Sequence, residues 1–141
     1  MDENLLEKNE VIARIEKAIT LLEEVDDYYS KLVGEGGLVS SCDAKIDYWE
    51  HYLEFNPLLP KEVYRIAREI KKQRILRRKY KNDEFLIRLY KDNESKMQNN
   101  GYRKILLTQL YKTDTKQRNA KYSYDAYTNE ERNLILGIEE G

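Results

Sequence analysis

Four cations in the most basic stretch of this 141-residue chain have a spacing that lets their side chains act together. They are Arg74, Arg77, Arg78 and Lys81. They fall at i, i+3, i+4 and i+7, so on a helix they share one face. An arginine guanidinium grips a phosphate or a carboxylate with two parallel hydrogen bonds. Because like charges this close repel one another, we expect an anion beside them: the acidic first part of the chain, a partner subunit or a phosphate-bearing ligand.

Arg77 also stands where the apolar stripe of its helix should continue. The stripe begins with Val63, Ile66 and Ile70, and polar side chains then occupy the same phase up to Glu84. A guanidinium on a core stripe is costly to bury unless it is paired. We predict a structural pair of Arg77 with Glu84 or Asp26. The alternative is a polar pocket at the centre of a helical bundle or of a dimer interface.

A second group near the C-terminus combines cations with aromatic rings. We predict that five of these residues form a basic-aromatic clamp: Lys116, Arg118, Lys121, Tyr122 and Tyr124. Cations and aromatic faces together grip a nucleotide or a nucleic-acid strand through its phosphates and bases. Tyrosine is equally a favoured contact residue of protein interfaces. The clamp therefore fits a nucleic-acid partner or a protein partner.

Catalytic and metal-binding patterns are weak in this sequence. The single histidine, His51, shares a possible helix face with Asp43, Asp47 and Glu54, which is at most half of a metal site. Ion pairing across a hairpin explains the same residues, with Asp43 opposite about Lys72. Cys42, the only cysteine, has no evident base beside it and is interpreted as an inert thiol. We therefore predict no enzyme, no metal site and no cofactor.

Charge is strongly segregated along the chain, although the overall formal net charge is only −1. Residues 1–60 carry a net charge of −9, residues 61–121 carry +12, and residues 122–141 carry −4. An acidic helix that folds back on a basic helix explains this distribution, and so does a basic surface kept for an anionic partner. A lone cysteine and the lack of a long apolar run predict a cytoplasmic protein that does not enter a membrane.

Periodicity and capping signals predict the helices. Residues 3–33 form an acidic amphipathic helix with apolar residues seven apart, such as Ile12 and Ile19. A helical hairpin is predicted over 41–95, with a start near Ser40 and a break at residues 56–60. Residues 102–141 are predicted to hold a helix from Tyr102 to Lys112, a Tyr-rich arm and a short helix over 129–136 that a capping box at Thr128 begins.

These elements predict an all-α fold, a bundle of long helices with an antiparallel hairpin. The first helix carries a wider apolar stripe than a two-stranded zipper requires, so it should pack against two or more other helices. Chains of this composition often complete their core with a second copy. We therefore expect a homodimer or a higher oligomer.

The hairpin segment, residues 42–86, resembles small helical-hairpin proteins encoded by phages and prophages of Gram-positive bacteria. The resemblance lies in the run from Asp47 to Asn56 (DYWEHYLEFN), the proline-containing turn after it, and the run from Arg77 to Glu84 (RRKYKNDE). That group supplies no established activity. The resemblance implies a phage accessory protein in the cytoplasm of the host cell.

Three hypotheses for function follow. The first is a stoichiometric inhibitor of a host factor, such as a defence system, that blocks a nuclease or sequesters a nucleotide signal. The second is a nucleic-acid-binding protein of phage replication or transcription that uses the same basic surfaces. The third is an oligomerisation module in which every charge is satisfied internally.

Overall fold

The computed structural model describes residues 9–121 and 126–138, and these residues form helices and turns without a strand. The helices are α1 (Glu10–Leu32), α2 (Leu38–Phe55), α3 (Pro60–Asp92), α4 (Asn100–Arg118) and α5 (Asn129–Leu136). A 3₁₀ turn, Glu94–Gln98, joins α3 to α4. The all-α prediction is confirmed.

Helices α2 and α3 make the most extensive contact of the fold. The short connection after Phe55 reverses the chain, and Pro60 opens α3 at a position where a missing N–H has no cost. Ile46 of α2 and Ile66 of α3 are buried, and Cys42 is buried one turn before Ile46. Gln73 is the buried polar residue of this part, only 4% exposed, and its Nε2 donates to Glu69 Oε1 at 2.9 Å.

Helix α1 meets α2 and α3 with its last turns only. Leu32 is 1% exposed, whereas every residue from Asn9 to Glu24 is exposed. Lys91 Nζ of α3 lies 2.9 Å from Asp26 Oδ1 and 4.6 Å from the centre of the Tyr29 ring. Tyr28 donates to Asp83 Oδ2 at 2.6 Å. A small apolar contact, the Lys91–Asp26 ion pair and the Tyr28–Asp83 hydrogen bond therefore attach α1 to α3.

Helix α4 packs against α3 through Leu106, which is 1% exposed. Its first turn is capped by Asn99, whose side chain accepts from the backbone N–H groups of Gly101 and Tyr102. Helix α5 packs against none of the other described helices. It is nevertheless well capped, because Thr128 and Glu131 form the predicted capping box and Gly137 ends it at a φ of 72°.

Three predicted boundaries were wrong. Helix α2 begins at Leu38, not at residue 41, because Gly37 serves as its cap while the Ser40 hydroxyl donates to the Gly34 carbonyl. Helix α3 ends at Asp92, not at residue 95. Helix α4 continues past Lys112 to Arg118, and the ion pair between Asp114 and Arg118, one turn apart, supports the added turns. Residues 3–8 of the predicted first helix lie outside the described residues.

The Tyr28–Asp83 hydrogen bond yields a pH-dependent prediction. Burial, together with the bond to Asp83, raises the pKa of Tyr28 above its ordinary value near 10. A raised folded pKa means that the hydroxyl stabilises the fold fully below about pH 10 and loses this contribution as the pH rises through the folded pKa. Tyr28→Phe is therefore expected to cost about 1 kcal/mol at pH 7, and the gap to wild type should narrow above about pH 10. Urea unfolding of Tyr28→Phe and wild type at several pH values measures this difference in the free energy of unfolding.

The exposed Tyr127 provides the control for that measurement. Tyr127→Phe should unfold like wild type at every pH, since its ring lies on the surface. A gap between Tyr28→Phe and wild type that stayed constant up to the most alkaline pH would contradict the assignment of the hydrogen bond.

Candidate functional site

Two of the four predicted anion-binding cations pair within the hairpin. Arg74 Nη2 lies 2.8 Å from Glu50 Oε1, and Arg77 Nε lies 2.5 Å from Asp43 Oδ1. Both carboxylates belong to α2, and all four side chains keep a third or more of their surface in solvent. The pairs are therefore worth less than about 1 kcal/mol each. Their effect is to neutralise the edge of α3 that faces α2.

The partner of Arg77 differs from both predicted ones. Asp26 pairs with Lys91, and Glu84 pairs with Arg88. The predicted hairpin register was also wrong, since Asp43 lies opposite Arg77 and not opposite Lys72. The physical reason is that helical side chains lean toward the N-terminus of their helix. In an antiparallel pair the Asp43 carboxylate leans away from the turn and the arginine leans toward it, so the match shifts to a later residue of α3.

Arg78 and Lys81 lie on the same side of α3 as Arg74 and Arg77 and are exposed. Arg78 takes part in an interaction, so its charge is not isolated. Lys81 has no carboxylate of the described residues within 4 Å. The predicted four-cation face is thus divided: Arg74 and Arg77 pair with carboxylates of α2, Arg78 has an interaction of its own, and Lys81 has no carboxylate of the described residues within 4 Å.

The side of α3 opposite the buried Ile66 and Gln73 forms a second basic surface, which was not predicted from the sequence. We call it the outer face. A shallow depression runs along it, lined by Tyr64, Ala67, Arg68, Lys71, Lys72, Ile75 and Leu76. Arg68, Lys71 and Lys72 have no carboxylate of the described residues within 4 Å. Glu69 is the only acid in the sequence between Tyr64 and Asn82, and it is engaged by Gln73.

Apolar side chains stand between the cations of the outer face. Tyr64 and Ile75 are both more than half exposed, and the Arg68 guanidinium lies 5.8 Å from the centre of the Tyr64 ring. Tyr64 and Ile75 are eleven residues apart, which returns a helix to nearly the same direction. That spacing is the signal in the sequence that could have revealed this surface.

The predicted C-terminal clamp is only partly described. Lys116 and Arg118 belong to the last turns of α4, where Arg118 pairs with Asp114 at 3.1 Å. Lys121 is exposed just after the helix. Tyr122 and Tyr124 lie outside the described residues. Because Lys116 and Arg118 are helical, the prediction that they belong to an irregular arm was wrong.

The candidate metal-binding groups lie exposed on α2, and the candidate nucleophile Cys42 is buried in the same helix. His51 stacks on Phe55 with 6.4 Å between ring centres, and Asp43 is engaged by Arg77. Within residues 9–121 and 126–138, no three His, Cys, Asp or Glu side chains are grouped to hold a metal ion. Burial raises the pKa of the Cys42 thiol, which disfavours the reactive thiolate.

Uncovered apolar surface is the most prominent property of the fold. Helix α1 exposes Val11, Ile12, Ile15 and Ile19, and α5 exposes Leu134, Ile135 and Leu136. The chain has 12294 Å² of accessible surface, well above the roughly 7,700 Å² that a compact monomer of 16.9 kDa exposes. None of the described helices is both long and apolar enough to cross a membrane. Contiguous apolar surface of this kind marks sites of interaction.

Comparisons with protein-family models, with curated proteins and with solved structures find no match to this chain.

Proposed function

We propose that this chain is a non-catalytic binding protein that acts stoichiometrically on a host protein through the outer face of α3. The observation that carries the proposal is the group of cations on that face. No carboxylate of the described residues lies within 4 Å of Arg68, Lys71 or Lys72, in contrast with Arg74 and Arg77. Uncompensated positive charge on a rigid helix steers an acidic partner and fixes its orientation.

The mixture of side chains on the outer face favours a protein partner. Tyrosine and arginine are the residues that most often dominate the binding energy of protein interfaces, and Tyr64 stands beside Arg68. Ile75 adds an apolar anchor between the cations. A free nucleotide would need a site that encloses most of its surface, and the outer face is an open depression. We therefore favour an acidic protein surface over a nucleotide signal.

The resemblance to phage proteins suggests what kind of partner this is. A phage accessory protein that binds without catalysis acts by occupying a surface that a host machine needs. An acidic surface on a defence nuclease, or on its regulator, fits the charge of the outer face. A homodimer would present two such faces and would gain avidity against an oligomeric target.

Photo-crosslinking from the centre of the outer face tests the proposal. A photoreactive phenylalanine at Ile75 in the full-length chain, expressed in a Gram-positive host, should crosslink to one host protein. The host protein identified in this way should then be purified and should bind the wild-type chain. Its affinity for the triple variant Arg68→Glu/Lys71→Glu/Lys72→Glu should be at least about 100-fold lower, because each reversed interface charge costs about 1 kcal/mol. Titration calorimetry measures both affinities.

A charge-matched control separates this site from a general effect of net charge. Lys31→Glu, Lys45→Glu, Lys104→Glu removes three exposed cations elsewhere and should leave the affinity within about threefold of wild type. Equal weakening by both triple variants would overturn the assignment to the outer face. Binding of a short DNA duplex that falls steeply with salt would instead favour the nucleic-acid hypothesis.

A further inference from the structure

Helix α4 covers one part of the side of α3 that carries the outer face. Leu86 of α3 stands eleven residues after Ile75, so the two side chains point in nearly the same direction. Leu86 lies beside α1 and α4, whereas Ile75 lines the open depression of the outer face. The outer face is therefore the uncovered continuation of a surface on which α4 already packs.

The chain leaves α4 close to the outer face. Gln117 Nε2, in the last turn of α4, donates to the Asn82 backbone carbonyl of α3 at 3.4 Å. Lys72 of the outer face stands ten residues before Asn82, about 15 Å along the helix axis. Residues 119–128 join α4 to α5, and an extended segment of that length spans up to about 33 Å. The next helix, α5, can therefore reach the outer face of its own chain.

Helix α5 exposes apolar side chains that no other described helix covers. It contacts none of these helices, and its Leu134 is 81% exposed, the highest value among the large apolar side chains of the described residues. A helix of eight residues is marginal in isolation and depends on burial of one face. The capping box at Thr128 supports its first turn, so α5 is a formed helix without a packing surface.

The side chains of α5 match those of the outer face. Glu130 and Glu131 stand four and three residues before Leu134, so the three side chains share one side of α5. Residues 122–141 contain five acidic residues and one basic residue, a net charge of −4. The depression of the outer face is lined by three cations, Ile75 and other uncharged side chains, without an acid among the described residues. Complementary charge of this kind fixes orientation and partner choice.

Other depressions of the fold suit α5 less well. The apolar groove between α1, α3 and α4 is lined by Asp114, and the depression beside it by Glu24 and Asp83, so both would repel an acidic helix. The basic depression on α4, around Lys112 and Lys116, has no aliphatic side chain in its described lining. The outer face combines cations with aliphatic side chains, which is the mixture that α5 requires.

We propose that α5 docks on the outer face of its own chain, with Leu134 against Ile75 and the two α5 glutamates among the cations of that face. A helix tethered to its site acts at an effective concentration on the order of mM, so a weak contact is populated within one chain. The docked helix covers the surface to which we assign partner binding, and a partner must displace it. This regulation rests on the proposed function, whereas the docking itself does not.

A spin label on α5 tests where the helix docks. Arg132→Cys places a nitroxide two residues before Leu134 and on the other side of α5, so the label leaves the docking side free. Cys42 is buried and stays unlabelled. Backbone amide NMR signals of residues 67–76 of α3 should broaden, whereas those of residues 102–110 of α4 should stay sharp. Sharp signals over residues 67–76, or broadening over residues 102–110 in their place, would overturn the proposal.

Charge and anchor variants of the labelled chain identify the contacts. Leu134→Asp should abolish the broadening, and so should the triple variant Arg68→Glu/Lys71→Glu/Lys72→Glu, which leaves α5 itself unchanged. Leu136→Asp introduces the same charge on the other side of α5 and should preserve the broadening. Equal loss in Leu134→Asp and Leu136→Asp, or full broadening in the triple variant, would contradict the assigned contact.

Mixed samples separate docking within one chain from docking between two copies. Spin-labelled chain without isotope is combined with unlabelled, isotope-enriched chain at about 50 μM, well below the effective concentration of a tethered helix. The enriched signals should stay sharp. Broadening as strong as that within one labelled chain would assign α5 to a second copy and overturn the proposal.

Calorimetry with the crosslinked host protein tests the regulation apart from the docking. Leu134→Asp should bind this protein more tightly than wild type, because the outer face is then free. A Leu134→Asp chain that bound no more tightly would overturn the regulatory role. Loss of host binding in every chain, with the broadening of residues 67–76 retained, would contradict the proposed function alone.

Discussion

Leu32→Ala is expected to lower the free energy of unfolding by about 2–5 kcal/mol, the range for loss of a fully buried leucine. Leu32 is 1% exposed where α1 meets α2 and α3. The described part of the chain buries only four other apolar side chains. Little surrounding core is therefore available to collapse into the cavity. Since small domains have about 5–15 kcal/mol of stability in total, the substitution should remove a large share of it.

Urea unfolding followed by Trp49 fluorescence, at one fixed protein concentration, measures this effect. Leu59→Ala removes the same atoms from a side chain that is 64% exposed and should change the free energy of unfolding by less than about 0.5 kcal/mol. If the two variants unfolded at the same urea concentration, Leu32 would not be a core residue of the fold.

Leu106→Ala is the second substitution with a large expected effect, again about 2–5 kcal/mol. Leu106 is the buried residue of α4, and α4 touches the rest of the described chain through α3 and the 3₁₀ turn alone. The loss should therefore appear first as separation of α4 from α3, before the α2–α3 hairpin unfolds. Hydrogen exchange of the backbone amides should accelerate in α4 by a larger factor than in α2.

Ile105→Ala is the neighbouring control, because Ile105 is 55% exposed. It should leave exchange in α4 close to that of wild type. Uniform acceleration across α2, α3 and α4 in Leu106→Ala would show instead that α4 unfolds together with the hairpin as one cooperative unit.

Most helices could be predicted because their signals are local. The pairing of Thr128 with Glu131 and the glycine at 137 defined both ends of α5, and the geometry of these caps depends on residues within one turn. Pro60 defined the start of α3 for the same reason. Two local signals compete at the start of α2, because Gly37 and Ser40 are both acceptable N-cap residues. The sequence alone favoured Ser40, which was wrong. Packing of the extra turn that begins at Leu38 decides for Gly37.

The candidate sites were less predictable, because ion pairs join residues far apart in sequence. The spacing of Arg74, Arg77, Arg78 and Lys81 showed that they share a helix face, which is a local property. It did not show that Asp43 and Glu50 lie along that face, which depends on the register of two antiparallel helices. Because helical side chains point toward the N-terminus of their own helix, Asp43 pairs with Arg77, about one turn beyond the predicted Lys72.

The sequence by itself determined that this chain is helical, where its charges are concentrated, and that α1 carries an apolar stripe, because periodicity and composition act within a few turns. Only the tertiary structure decided which charges and which apolar faces are already satisfied. It directed Arg74 and Arg77 toward α2, left Arg68 and Lys71 on the outer face, and left the first half of α1 uncovered. The physical reason is that burial and pairing depend on which surfaces face one another, and helices of the same pattern dock in several registers.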